Sequence, residues 1–170
     1  MTVLNLALSI LALSVLALAD PAQAQMIRAY VEGDSYPKKS VALHVVDRVG
    51  RDKIIARGWF SDALVSPDGT LVGVTFLERS GFRETLLLYR EGRPWRRLRP
   101  GGFIRTWWFQ AGSADVVIYH GAGHGPGGYV RFELTTGRMT DWFEEYTLFE
   151  KPETPVPCWA RIDPWWHCPD

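Results

Sequence analysis

Cysteine is scarce in this sequence of 170 residues, and neither sign of charge is in excess. Cys158 and Cys168 both fall within the last thirteen residues, so no disulfide framework can run through the chain. Nineteen basic residues balance nineteen acidic ones, which excludes a global field that would draw the protein to nucleic acid or to a membrane surface. Helical periodicity is missing as well. After residue 25 no stretch repeats its apolar positions at the helical spacing over a useful length. The familiar motifs of catalysis are absent in their turn. The glycine-rich run at 121–128 has no lysine after it and leads into a strand-like segment, so it is neither a P-loop nor a dinucleotide fingerprint. No Gly-x-Ser-x-Gly elbow accompanies it, which removes the usual serine-hydrolase reading.

What remains is apolar and aromatic. Hydrophobic residues make up 46% of the chain and aromatics 13%, with eight tryptophans. That is enough material for one packed domain. The first segment stands apart. Residues 4–19 are apolar except for Asn5, Asp20-Pro21 ends the run, and Ala22-Gln23-Ala24 has the small-x-small form of a signal peptidase site. Residues 1–24 are therefore expected to be a leader, cleaved after Ala24, although no lysine or arginine precedes the apolar run. The alternative is a retained anchor, for which the run is shorter than the ~20 residues a span usually needs. Asp20 is the one charged residue in this segment, so cleavage moves the formal net charge from +0 to +1. Export implies an oxidising compartment, where Cys158 and Cys168 are expected to pair. A redox or metal-binding pair is the alternative, and Cys-x9-Cys is not a redox motif.

From residue 26 onward the chain reads as short strands divided by turn signals, the mark of an all-β protein. Strands are expected at 26–31, 41–46, 53–60, 70–77, 84–90, 103–110, 116–120, 129–134 and from 138 to 143, with residues 62–65 leading into a turn. The plainest turn is Ser66-Pro67-Asp68-Gly69, where proline presets one torsion and Asp-Gly supplies a side-chain acceptor and a permissive backbone. The pattern then repeats. Leu71-Val72-Gly73-Val74 and Thr85-Leu86-Leu87-Leu88 fall on Asp115-Val116-Val117-Ile118 and Tyr129-Val130-Arg131-Phe132 at an offset of 44 residues. Stepping back by the same offset reaches Ile27 and Val41. Three units of just over forty residues, each of a few short strands, have the size of propeller blades.

These residues carry a resemblance. Leu64-Val65-Ser66-Pro67-Asp68-Gly69-Thr70-Leu71-Val72-Gly73-Val74, followed by Leu86-Leu87-Leu88-Tyr89-Arg90-Glu91-Gly92, is similar to the WD40-like (TolB-type) β-propeller repeat. Phe132-Glu133-Leu134-Thr135-Thr136-Gly137 matches the late part of the same motif. The resemblance implies an all-β, propeller-like fold and a periplasmic interaction role, and it carries no catalytic residue. Three blades are too few for a closed ring, so the expectation is an open or partial propeller, with self-association as the other means of closure. The organisation expected is a leader at 1–24, a β-repeat domain at 25–145 and a Pro/Trp-rich tail at 146–170.

Two constellations are candidates for function. Arg93, Arg96 and Arg97, with Trp107 and Trp108 following, combine guanidinium forks with indoles. Outside the cytoplasm they suit an envelope protein or an anionic glycan and not nucleic acid. The bland alternative is internal pairing with the acids at 141, 144, 145, 150 and 153. The second constellation is His120 and His124, which His44 or His167 could join to hold zinc or copper. Its alternative is an ordinary hairpin loop. The reading is thus an exported, non-catalytic binding protein, periplasmic or secreted, without a cofactor and without a membrane span after cleavage. A histidine-based metal protein or metal-dependent enzyme is the rival.

Overall fold

The computed structural model describes residues 25–33, 40–78 and 84–161. Among them, eleven strands build three antiparallel sheets. The first holds β1 (Met26–Glu32), β2 (Val41–Asp47) and β3 (Asp52–Gly58) in that order. The second holds β4 (Phe60–Val65), β5 (Leu71–Leu77), β6 (Glu84–Arg90) and β7 (Arg93–Leu98), and the third β8 (Phe103–Phe109), β9 (Asp115–Gly121), β10 (Gly128–Glu133) and β11 (Met139–Glu144), again in chain order. Each is an antiparallel meander with its strands in chain order, the plan of a propeller blade. The all-β, partial-propeller architecture is therefore what the chain adopts.

The offset survives at the level of single hydrogen bonds. Leu71 and Asp115, which open β5 and β9, are 44 residues apart, as are Glu84 and Gly128, which open β6 and β10. Ser66 N donates to Leu71 O and Gly69 N to Ser66 O; Gln110 N donates to Asp115 O and Ser113 N to Gln110 O, the same pair of bonds one unit later. Equivalent positions also touch across units. Met26 N donates to Gly69 O at 3.0 Å, and Asp68 N to Ser113 Oγ at 3.2 Å.

Three details depart from the sequence reading, the first being β7, which is not among the expected strands. Residues 53–60 do not form one strand, because the chain breaks at Trp59 and Phe60 folds back so that its ring lies against Gly58, where a Cβ would meet it at 2.8 Å. Residues 62–65 are not a lead-in but complete β4, with Asp62 in the left-handed region at a bulge. By the 44-residue spacing, the first sheet's counterpart of β4 would fall on residues 16–21, outside the described residues.

The core sits between sheets, as period-two alternation dictates. Val72, Val74 and Tyr89 face the first sheet and meet Val41, Leu43, Val45 and Phe60. Leu71, Leu86 and Leu88 face the other way and meet Trp107, Phe109, Val116, Ile118 and Val130. The middle sheet is thus buried on both faces, and Leu86 and Leu88 are fully enclosed. Each such side chain stabilises the fold by about 1.5–3 kcal/mol.

The Ser66–Leu71 turn locks the middle sheet to both neighbours. Asp68 Oδ1 accepts from the Ser66 hydroxyl at 2.5 Å and from Thr70 N at 3.1 Å, and Oδ2 accepts from the Thr70 hydroxyl at 2.8 Å. Gly69 has φ +72, and a Cβ there would lie 2.7 Å from Met26 O, so only glycine suits both torsion and contact. Burial alone would raise the Asp68 carboxyl, but the bonds from Ser66 and Thr70 outweigh it and hold the group below its usual range. A carboxyl lowered by folding stabilises the native state above its unfolded value of about 3.9 and loses that contribution as pH falls through the folded value. Asp68→Ala is accordingly expected to cost about 1 kcal/mol at pH 7, with the gap to the parent protein narrowing at pH 3. Urea unfolding at both pH values checks this.

The tail adds α1 (Tyr146–Glu150) and a 3-10 turn at Cys158–Ala160. Gln110 Nε2 donates to Trp159 O at 3.0 Å, the Arg131 guanidinium lies 5.7 Å from the Trp159 ring centroid, and Ala160 is buried. The tail therefore packs on the third sheet through Trp159 and Ala160. Cys168, His167 and the leader lie outside the described residues. No helix among the described residues is long and apolar enough to cross a membrane.

Candidate functional site

The arginine–tryptophan constellation comes apart in the structure. Trp107 is 3% exposed, and its ring rests over Gly73, whose Cβ would lie 2.4 Å from it. Trp108 points to the opposite face of β8, 9% exposed, edge-on to Tyr129 at 6.4 Å between centroids. The two indoles are packing residues on opposite faces of one strand, so the expectation of a shared contact surface is corrected. Arg96 is turned inward. Its Nη1 donates to Thr136 O at 3.2 Å and its Nη2 to Thr135 O, while its guanidinium lies 4.8 Å from the Trp95 centroid. Arg93 and Arg97 remain exposed on β7.

The expected pairing of these arginines with the later acids does not form among the described residues either. Asp141 pairs with Arg131 at 2.6 Å, and Glu145 takes the Tyr119 hydroxyl at 2.6 Å and Gly127 N at 3.0 Å.

A groove of about 550 Å³ opens instead beside the glycine-rich loop. Its wall on the sheet side is His120, at the end of β9, and Gly128, at the start of β10, where a Cβ would lie 3.7 Å from the imidazole Nε2. Its other wall carries Met139 and Trp142 from β11 and Tyr146 from α1, which are 55%, 62% and 53% exposed. The loop is held firmly. Arg105 Nη1 donates to the Tyr119 hydroxyl at 2.8 Å and Nη2 to Gly125 O at 2.6 Å, and the Tyr119 and Tyr129 rings stack at 4.6 Å.

Electrostatics follow from this packing. Burial, helped by the Arg105 charge, pushes His120 below its usual range, so it is neutral at pH 7. The Gly127 amide and then the Tyr119 hydroxyl hold Glu145 below the carboxylate range. Burial, with Glu145 accepting its proton, holds Tyr119 above the ordinary phenol value. The groove therefore offers a neutral imidazole, an indole, a thioether and the Glu144 carboxylate. Such a surface can bind, and it lacks an activated nucleophile.

His124 lies in the loop, and His44 belongs to the first sheet. There Nδ1 of His44 is 2.9 Å from Asp52 Oδ1, its ring stacks on Tyr30 at 4.7 Å, and Tyr30 OH donates to Asp52. Glu32 Oε2 lies 2.9 Å from Nε2 on the other side of the ring. The structure thus does not bring His44 to His120. No group of three or more His, Cys, Asp or Glu among the described residues is arranged to hold a metal. The Tyr30–His44–Asp52 cluster escaped the sequence reading because its members lie on three strands and are linked only by cross-strand register.

No family model matches the chain, and no curated protein does. Solved structures do. The β-propeller domain of the trilobed protease from Pyrococcus furiosus, of open velcro topology, is 10% identical over 69% of this chain and 43% of that one, with a TM-score of 0.53. Hydrazine synthase from Kuenenia stuttgartiensis (17% identity, 62% and 33% covered, TM-score 0.48) and TolB from Acinetobacter baumannii (16%, 66% and 29%, TM-score 0.49) are also similar. The chain spans less than half of each of these proteins. The first of these likenesses shows a β-propeller fold and nothing about activity.

Proposed function

We propose that the chain is an exported, non-catalytic binding protein of the cell envelope, periplasmic or secreted, whose groove at His120 and Trp142 grips a partner protein. One observation carries the reading: Met139, Trp142 and Tyr146, each more than half exposed, line one groove together, whereas the other exposed apolar side chains, Ile27 and Val49 among them, do not line it. Clustered exposed aromatics of this kind anchor protein interfaces. Glu144 makes the groove acidic, which favours a protein segment with an apolar anchor and a basic flank over an anionic glycan. Arg93 and Arg97, exposed on β7, are the better surface for a glycan. Cleavage after Ala24 and a Cys158–Cys168 disulfide belong to the same reading, and the intact mass of the exported protein tests both.

The reading includes no metal. Stoichiometric zinc or copper in the purified protein, lost in a His120→Ala/His124→Ala variant, would contradict it. For the groove, Trp142→Ala is expected to weaken capture of an envelope partner by roughly 30-fold, about 2 kcal/mol for an anchoring indole, with an unchanged thermal midpoint. Parallel pull-downs from envelope extract with the parent protein, Trp142→Ala and Arg93→Ala/Arg97→Ala check it. Equal recovery by Trp142→Ala removes the groove from the account, and loss confined to the arginine variant moves the site to β7.

A further inference from the structure

A second opening lies at the other seam, between the first and second sheets, at the end that carries the Ser66–Leu71 turn. It is a cleft of about 970 Å³. Met26, Val45 and Ile55 line it as apolar surface, where the core between these two sheets reaches solvent. Arg51, Lys53 and Arg90 line it as well. Lys53 sits opposite Val45 in the β2–β3 register and so shares the face that turns toward the second sheet. Lys53 is exposed at the mouth of this core, and among the described residues no carboxylate comes within ion-pair distance of it.

The acids lining the cleft are already committed. Asp47 accepts from Val49 N and Arg51 N at 3.0 Å and from Arg51 Nε at 2.6 Å. Those bonds hold the Asp47 carboxyl below its usual range although burial opposes them. Asp68 is filled by Ser66 and Thr70, and Glu91 is engaged too. Arg90 stacks on Trp95 at 3.9 Å, and Trp95 packs on the core between the second and third sheets, so this guanidinium is spent away from the cleft. Arg51 spends only its Nε on Asp47. The cleft thus has an apolar lining, and Lys53 and the remaining Arg51 donors are the polar groups in it that have hydrogen bonds still to make, while the acceptor positions of Asp47 and Asp68 are filled.

We propose that this cleft binds a small amphiphilic anion, a carboxylate or phosphate carried on a short aliphatic body. The head group would be held by Lys53 and the free edge of the Arg51 guanidinium, and the body would lie on Met26, Val45 and Ile55. Calorimetric titration of the exported protein with octanoate, octyl phosphate, octanol and inorganic phosphate tests it and separates the two head groups. The expected result is binding of octanoate, octyl phosphate or both, with octanol and free phosphate at least tenfold weaker. Lys53→Gln should weaken the anion at least fivefold, Lys53→Arg should restore most of it, and Trp142→Ala should leave it unchanged. Lys53 is exposed, so the variants keep the fold, which circular dichroism verifies. Octanol binding as tightly as octanoate, unchanged affinity in Lys53→Gln, or no binding of either anion would overturn the proposal.

Discussion

Trp107→Ala is expected to cost the fold about 3–5 kcal/mol, the range for deleting a large buried aromatic. The indole is 3% exposed and packs edge-on against Phe109 at 5.5 Å, inside the seam where Leu71, Leu88, Ile118 and Phe132 meet. No single substitution at the groove should approach this. Its glycine partner behaves in the opposite sense, by overfilling. A Cβ at Gly73 would lie 2.4 and 2.7 Å from two ring carbons of Trp107 and 3.3 Å from Leu88. The ring is enclosed and has nowhere to go, so Gly73→Ala should cost about 1–3 kcal/mol. Urea unfolding followed by far-ultraviolet circular dichroism measures both. A Trp107→Ala loss below about 1 kcal/mol would place the ring outside the core.

Arg96→Ala is expected to destabilise by roughly 1.5–3 kcal/mol, the value of hydrogen bonds from a charged donor. Its guanidinium spans from β7 to the carbonyls of Thr135 and Thr136 at the β10–β11 turn, and it therefore ties the second sheet to the third. Gly137 makes room for it, since a Cβ there would sit 3.1 Å from Nη1. Lysine should not rescue the loss, because one ammonium cannot reproduce a planar fork on two carbonyls. Thermal unfolding of Arg96→Ala and Arg96→Lys checks this. Parent-like stability in Arg96→Ala, with weakened ligand binding, would return Arg96 to the contact surface on which its sequence neighbours first placed it.

These two cases show what the sequence made legible. The 44-residue offset places β5 against β9 and β6 against β10, because a blade meander repeats its own local turn chemistry and alternation. Seams between blades are another matter. That Trp107 drops onto Gly73 depends on which face of β8 turns toward the second sheet, and adjacent tryptophans at 107 and 108 give no hint of it. Arginine clustering misled for a related reason. Arg93, Arg96 and Arg97 are close in sequence, yet the strand sends Arg96 inward between sheets and leaves the other two outside. The groove was half visible, through His120 and the glycines. Trp142 was hidden in a segment read only as one more strand, and its exposure follows from a place on the outermost strand of the third sheet.

The central claim is that three sheets of one chain stack face to face, with the second and third joined through the Trp107–Gly73 contact. The double-mutant cycle of Gly73→Ala and Trp107→Ala tests it most directly. The account predicts a coupling of at least about 1 kcal/mol, with the glycine substitution nearly harmless once the indole is gone. Strict additivity of the two losses would mean that these sheets do not meet there, and the stack would have to be abandoned.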